Sequence, residues 1–265
     1  MSPLAKGGIK EGFKKRSVRL DSEGMGIFLL VCALCSVFCA LEIKAEPRVP
    51  EKFVYYIYWS GIRAGMATFD FENTADGVTI KTRATSASFI SIFYKVDDIA
   101  QSVLYRDGYP SVYTLKIREG RHKRDKATHF EKKLVNSLQK VIYKNLIDNE
   151  TKEFNLEKQA FDPLSGFYNI RKRQLKAGHS EYLDIFDSKK LWSVEVQVIG
   201  KERVSTPAGE FDTILIKPLM QSEGIFMRKG EIYIWLTDDD KKIPVMIKSE
   251  VKVGSFVAKL VEGDY

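Results

Sequence analysis

From Phe53 onward, apolar and polar residues alternate with a period of two, and turns containing glycine interrupt the alternation at short intervals. A chain written this way folds as strands that present one face to a core and one to water, joined by tight antiparallel connections. Phe69-Asp70-Phe71-Glu72 and Val78 through Ala84 flank Asp76-Gly77 and predict a hairpin. The same punctuation recurs at Asp107-Gly108, Glu119-Gly120, Ala208-Gly209, Lys229-Gly230 and Val253-Gly254, where glycine supplies the positive φ that short connections need. Val194, Val196 and Val198 against Glu195 and Gln197 give one dry and one wet face. Ile232, Ile234 and Leu236 do the same, with Tyr233 and Trp235 making the second face partly aromatic.

One segment departs from this rhythm. Asp162 is an N-cap residue, Pro163 fits the first helical position, and Leu164, Phe167, Tyr168 and Leu175 share a helical face before Ala177-Gly178 ends it. The spacing predicts an amphipathic helix over 163–177. A shorter helical or looped piece is expected at Ser88–Tyr94, and the polar stretch 132–155 is expected to project as long hairpins. A sheet of ten or more strands twists and cannot stay flat. The expected fold is therefore mainly β: one large antiparallel, strongly curved sheet, a half-barrel or barrel, with the helix on its concave side.

The net charge of +7 suggests nucleic acid until it is divided along the chain. Residues 1–45 hold seven Lys/Arg and four Asp/Glu, so the remainder is only +4. Lys6, Lys10, Lys14, Lys15, Arg16 and Arg19 precede an uncharged apolar run, Gly26–Leu41, as in a secretory leader. As a helix that run would span about 24 Å, short of the ~30 Å hydrocarbon core. Residues 1–45 are thus read as a signal peptide or a retained N-terminal anchor, and 46–265 as a single all-β domain of the periplasm or cell envelope. Cys32, Cys35 and Cys39 all lie in the apolar run. The body, without cysteine, has no disulfide framework, thiol nucleophile or thiolate metal site.

No motif assigns a catalytic residue, a cofactor or a metal. His122, His129 and His179 lack metal spacing, and Asp238-Asp239-Asp240 reads as a charged turn rather than a calcium loop. Ser137 and Lys140 fit a Ser-x-x-Lys spacing, but the alternation around them argues for strand, where the pair would not meet. The densest basic run, Arg118–Lys126, reads first as a solvated hairpin tip and second as an attractor of anionic headgroups.

Several of these segments resemble an exported bacterial family known as domain of unknown function 3108, over about residues 53–265. The similarity begins at Tyr55–Gly65 with its Gly-x-x-x-Gly turn. It is sharpest at Asp162-Pro163-Leu164-Ser165 with Tyr168 and Arg171, at Gly209-Glu210-Phe211-Asp212-Thr213, and at Ile234-Trp235-Leu236-Thr237-Asp238-Asp239 with Ile243-Pro244-Val245. The resemblance implies an exported, mostly β protein and supplies no activity. A curved meander covering a helix is also similar in layout to lipoprotein carriers of the LolA type.

These readings converge on a non-enzymatic binding or carrier module for a lipid-like or lipoprotein chain. The candidate ligand-lining and family-signature residues are Trp59, Phe69, Asp162, Ser165, Tyr168, Arg171, Trp235 and Asp239. The alternatives are an assembly factor that contacts another envelope protein and, further off, a cell-wall carbohydrate enzyme. Nucleic acid is not an expected partner, and membrane contact is expected only through the leader or the basic hairpin near Arg121.

Overall fold

The structure, a computed structural model, describes residues 49–132, 137–219, 231–250 and 254–264. The expected leader and the turn expected at Lys229-Gly230 lie outside the described residues. Fourteen strands form one antiparallel sheet: β1 (Glu51–Trp59), β2 (Ile62–Thr74), β3 (Gly77–Ser86), β4 (Asp97–Tyr105), β5 (Pro110–Glu119), β6 (His122–Phe130), β7 (Gln139–Asn145), β8 (Glu150–Leu156), β9 (Ser180–Asp187), β10 (Lys190–Thr206), β11 (Gly209–Leu219), β12 (Ile232–Thr237), β13 (Pro244–Glu250) and β14 (Ser255–Asp264). Two helices interrupt them, α1 (Ser88–Ser91) and α2 (Pro163–Arg171). Every one of these elements lies within Ala45–Tyr265, which forms one compact unit.

Each strand pairs with its neighbour in sequence except β8 with β9, and β1 also pairs with β14, with Lys52 opposite Asp264 and Trp59 opposite Phe256. The order runs from β8 through β1 and β14 to β9, so β8 and β9 are edges. Twist accumulated over so many strands curls the sheet toward a barrel. Side chains cover the seam between its edges. Phe186 of β9 packs on Phe154 of β8 with ring centres 5.1 Å apart and on Phe130 at 6.2 Å. Gln139 Oε1 accepts the Ala160 N–H at 2.9 Å, and Lys126 Nζ donates to Ser188 Oγ at 3.0 Å. Phe161 adds a parallel bridge to Ile185 on the β9 side.

An up-and-down meander places its connections alternately at two ends. The β1–β2, β3–β4, β5–β6, β7–β8, β9–β10, β11–β12 and β13–β14 connections fall at one end, here the mouth, and the others at the base. At the mouth, Gly65 of β2 runs so close to the Thr85 carbonyl oxygen that a Cβ would collide with backbone. Gly120, at φ 56°, makes the β5–β6 turn, and the Tyr94 ring lies over it.

α2 occupies the interior. Phe167 stacks on Phe69 at 5.6 Å and Tyr168 packs on Phe71 at 5.7 Å, while Ile170 joins the core made by β9 to β12. Burying aromatic and branched side chains such as these is worth about 1.5–3 kcal/mol each. The helix is shorter than the 163–177 expected from spacing. It ends at Arg171, where the buried face runs out: Arg173 leaves the interior to bond Asn169 Oδ1 and Glu181. Leu175 still packs on the core although it lies beyond the helix.

One further expectation needs correction. The described part of the 132–155 region, from residue 137 on, does not project: β7 and β8 are members of the sheet, with Val141 and Tyr143 buried. Its exposed-face polarity hides an inward row of Gln139, Val141 and Tyr143. The short helical piece expected near Ser88 forms as a single turn, with Phe89, Ile92 and Phe93 exposed. Ser137 and Lys140 are not on a helix turn. Lys140 sits on β7, paired with Glu153 at 2.9 Å.

Candidate functional site

Between α2 and the sheet lies a cavity of about 310 Å³ with a lining almost wholly apolar. Leu164, Phe167 and Ile170 of α2 form its helical wall. Val194, Val196, Ile216 and Ile234 form one sheet wall, and Tyr55, Ala67, Phe69 and Ala258 the other. These positions follow from alternation: Val194 and Val196 on β10, or Ala67 and Phe69 on β2, are two apart and so share the concave face. Pro218 and Ile232, which flank the β11–β12 connection, also line it, so the space extends from the helix toward the mouth. No carboxylate is among the described lining residues. The Tyr55 hydroxyl is satisfied by donating to the Pro244 carbonyl at 2.7 Å, and burial pushes its pKa far up. Trp192, also on β10 and beside Ile185, keeps its indole N–H without a hydrogen-bond partner among the described residues.

Buried polar groups pin both ends of α2. At its start Asp162, fully buried, accepts the Leu164 N–H at 2.8 Å and the Ser165 N–H at 3.1 Å through Oδ1. Its Oδ2 accepts the Ser102 hydroxyl of β4 at 2.6 Å and the Ser165 hydroxyl at 2.8 Å, and Ser165 Oγ in turn accepts the Asp162 N–H. This is a capping box tied to the sheet. Burial raises the Asp162 pKa above the ordinary carboxylate value even though four donors oppose it.

At the base, Arg171 and Glu51 form an ion pair with no exposed side-chain surface. Arg171 Nη1 and Nη2 reach the two Glu51 carboxylate oxygens at 2.8 and 2.9 Å, the forked geometry that guanidinium offers a carboxylate. Nη2 also donates to the Lys241 carbonyl, and Nε to that of Lys242, both at 2.9 Å. The guanidinium lies over Phe71, 4.9 Å from the ring centre, and 5.6 Å from that of Phe53. Glu51 was not among the residues singled out from sequence. Its signal was its position: Glu51, Phe53 and Tyr55 are two apart and all buried.

The sequence-derived candidates separate into three groups. Phe69 lines the cavity, and Tyr168 packs beneath it among the aromatic residues. Asp162, Ser165 and Arg171 anchor the helix. Asp239 organises the β12–β13 turn, its Oδ1 accepting Thr237 Oγ1 at 2.6 Å and the Lys241 and Lys242 N–H groups at 3.0 Å, which brings those two carbonyls to Arg171. Two tryptophans are not in the lining. Trp235 follows the inward Ile234, so it takes the opposite face of β12, where Nε1 donates to Glu202 at 2.5 Å. Trp59 stands at the mouth, 41% exposed, stacked on Phe256 at 6.3 Å.

The mouth also holds a titrating carboxyl. Asp98 of β4 accepts the Arg118 N–H at 2.8 Å, and burial pushes its pKa up to about 6. The folded state therefore holds this proton longer than the unfolded chain does. Its contribution to stability is present below the ordinary value of 3.8 and is lost as pH rises through about 6. Asp98→Asn, which keeps the acceptor, is expected to flatten the pH dependence of the unfolding midpoint in that window; denaturation series at several pH values check this.

Among the described residues no group of three or more His, Cys, Asp or Glu is placed to hold a metal ion. A crystal structure of a beta-barrel-like protein of domain of unknown function DUF1849 from Brucella abortus is similar in fold. Its TM-score is 0.55 at 14% identity, with 82% of this chain and 98% of that one covered. Another, described as a candidate exported protein with a YmcC-like fold from Bacteroides fragilis, has a TM-score of 0.33 at 10% identity over 83% of this chain and 98% of its own. No curated protein matches this sequence. The model of the family described as protein of unknown function (DUF3108) matches residues 54–261, a span that includes the capped helix, Arg171 and the Asp239 turn, and the chain belongs to that family.

Proposed function

We propose that this protein binds a lipid-like apolar chain between α2 and the sheet and carries or holds it in the cell envelope. One observation carries the reading: a cavity of about 310 Å³ with almost no polar lining, in a domain whose polar anchors are all satisfied elsewhere. Ligand sites typically span about 300–1,000 Å³ with mostly apolar walls, and emptiness of this kind forfeits packing energy that a filled core would keep. The basic n-region, the apolar run after it and the cysteine-free body support an extracytoplasmic address.

Ala67 and Ala258 lie on the cavity wall, and a phenyl ring at each would occupy the space. Ala67→Phe with Ala258→Phe is expected to weaken binding of pyrene-labelled palmitate by about tenfold or more, equivalent to about 1.4 kcal/mol. Fluorescence titration checks it, with the unfolding midpoint as a control for folding. Mass spectrometry of the purified protein should find co-purifying lipid in the unsubstituted chain and less in the variant. Equal palmitate affinity in the two would defeat the proposal.

A further inference from the structure

The exposed apolar residues of the barrel are not scattered. Of the thirteen large hydrophobic residues exposed among the described residues, nine stand at the mouth, on or beside the β1–β2, β3–β4, β7–β8 and β13–β14 turns. The β3–β4 connection is the most apolar, with Phe93 90% exposed, Ile92 77% and Phe89 close by. Nothing about forming that connection requires them. Its fixed points are backbone and polar, with the Ala87 N–H on the Ala64 carbonyl at 2.7 Å, the Val96 N–H on Ser86 Oγ at 2.9 Å and Ser91 Oγ against Ser86 Oγ at 2.7 Å. Single exposed hydrophobics are ordinary, but a cluster at turn tips around a cavity mouth marks an interaction surface.

Charge identifies the partner. Arg63, Lys95, Arg121 and Lys123 are exposed on or beside the turns around this tip; among the described residues no carboxylate is in ion-pair contact with them, although Arg63 lies 3.3 Å over the Tyr56 ring and Lys95 helps to lower the Asp97 pKa. Neighbouring carboxylates are engaged within the fold: Asp97 by Arg83 and Asp125 by Arg118, each at 2.9 Å. Apolar tips flanked by exposed cations match the boundary of an anionic bilayer, where aromatic and aliphatic side chains enter the acyl region and Lys and Arg meet headgroups. We infer that the mouth of the barrel docks on an anionic membrane surface, with Phe89, Ile92 and Phe93 inserted and Arg63, Lys95, Arg121 and Lys123 against the headgroups. Docked in this way, the cavity faces the bilayer. The inference extends the lipid-binding reading but rests on separate residues.

Flotation with vesicles tests it. The unit Ala45–Tyr265 contains the whole sheet, both helices and all three core clusters, and is assayed without the N-terminal apolar run, whose own affinity for lipid would mask the effect. It is expected to float with phosphatidylglycerol-containing vesicles and not with pure phosphatidylcholine. Tryptophan emission should shift to the blue on binding, because Trp59 is at the mouth whereas Trp192 and Trp235 are each 8% exposed. Ile92→Asp with Phe93→Asp should abolish flotation, and Arg121→Glu with Lys123→Glu should weaken it by about tenfold; both pairs are exposed, so folding should be unchanged by circular dichroism. Ala67→Phe with Ala258→Phe should float normally even where palmitate binding is lost, which separates failure of docking from failure of the cavity reading. Flotation that ignores the Ile92 and Phe93 changes would overturn the inference. So would absence of flotation together with self-association, or capture of an envelope protein, that depends on those residues.

Discussion

Arg171→Met is expected to destabilise the domain by about 3–5 kcal/mol, because it leaves the Glu51 carboxylate buried without its partner. Both side chains are sealed from solvent beneath the helix, so water cannot replace the lost guanidinium unless the base opens. Urea denaturation would show this as a large fall in midpoint. The companion experiment decides whether the pair or its burial is responsible. Glu51→Leu combined with Arg171→Met removes both charges and should recover most of the loss, since apolar replacement of a buried pair is often neutral. Recovery should stop short of complete, because the Lys241 and Lys242 carbonyls lose the donors that Arg171 gave them. A single-variant loss below about 1 kcal/mol, the range of exposed pairs, would mean that the pair is not sequestered as described.

Asp162→Ala carries the second large effect. It removes the cap from the Leu164 and Ser165 N–H groups and the acceptor from the buried Ser102 hydroxyl. Loss of a cap costs about 0.5–2 kcal/mol and an unsatisfied buried hydroxyl about 1–3 kcal/mol, so a combined loss of about 2–4 kcal/mol is expected. The terms are coupled through one carboxylate. Ser102→Ala in the Asp162→Ala background should therefore cost much less than it does alone, and a double-mutant cycle with denaturation measures the difference. Simple additivity would show that Ser102 and Asp162 do not share a network.

Local physics made much of this fold readable. Alternation and glycine turns specify strands, faces and the tight connections between them. Asp162-Pro163 announces the start of α2 because a cap is a property of adjacent residues. What was hidden depends on residues far apart. Glu51 and Arg171 are 120 positions apart, and only the β1–β14 pairing with the β12–β13 turn makes the place where they meet. The end of α2 was misjudged because helical periodicity continues through Leu175, which packs on the core from beyond the last helical residue, Arg171. The 132–155 region was misjudged because polar residues on a wet face outnumber the inward row. Phe69 was identified as cavity-lining because its parity and its strand are both visible in sequence, whereas the parity of Trp235, one residue from Ile234, sends it to the other face. The mouth was half legible: the cations of 118–126 stood out in the sequence, but the exposure of Ile92 and Phe93 depends on how the β3–β4 connection leaves the sheet.

The strand order has a consequence for how the molecule assembles. Of its thirteen pairings, twelve join consecutive strands and one joins β1 to β14. Short-range hairpins form before distant segments meet, since entropy penalises long closures first. The two arms on either side of α2 can thus zip up independently. The two arms are then joined in a single stitch, aligned by Lys52 opposite Asp264 and Trp59 opposite Phe256, and the seam between the β8 and β9 edges can be covered only after that event.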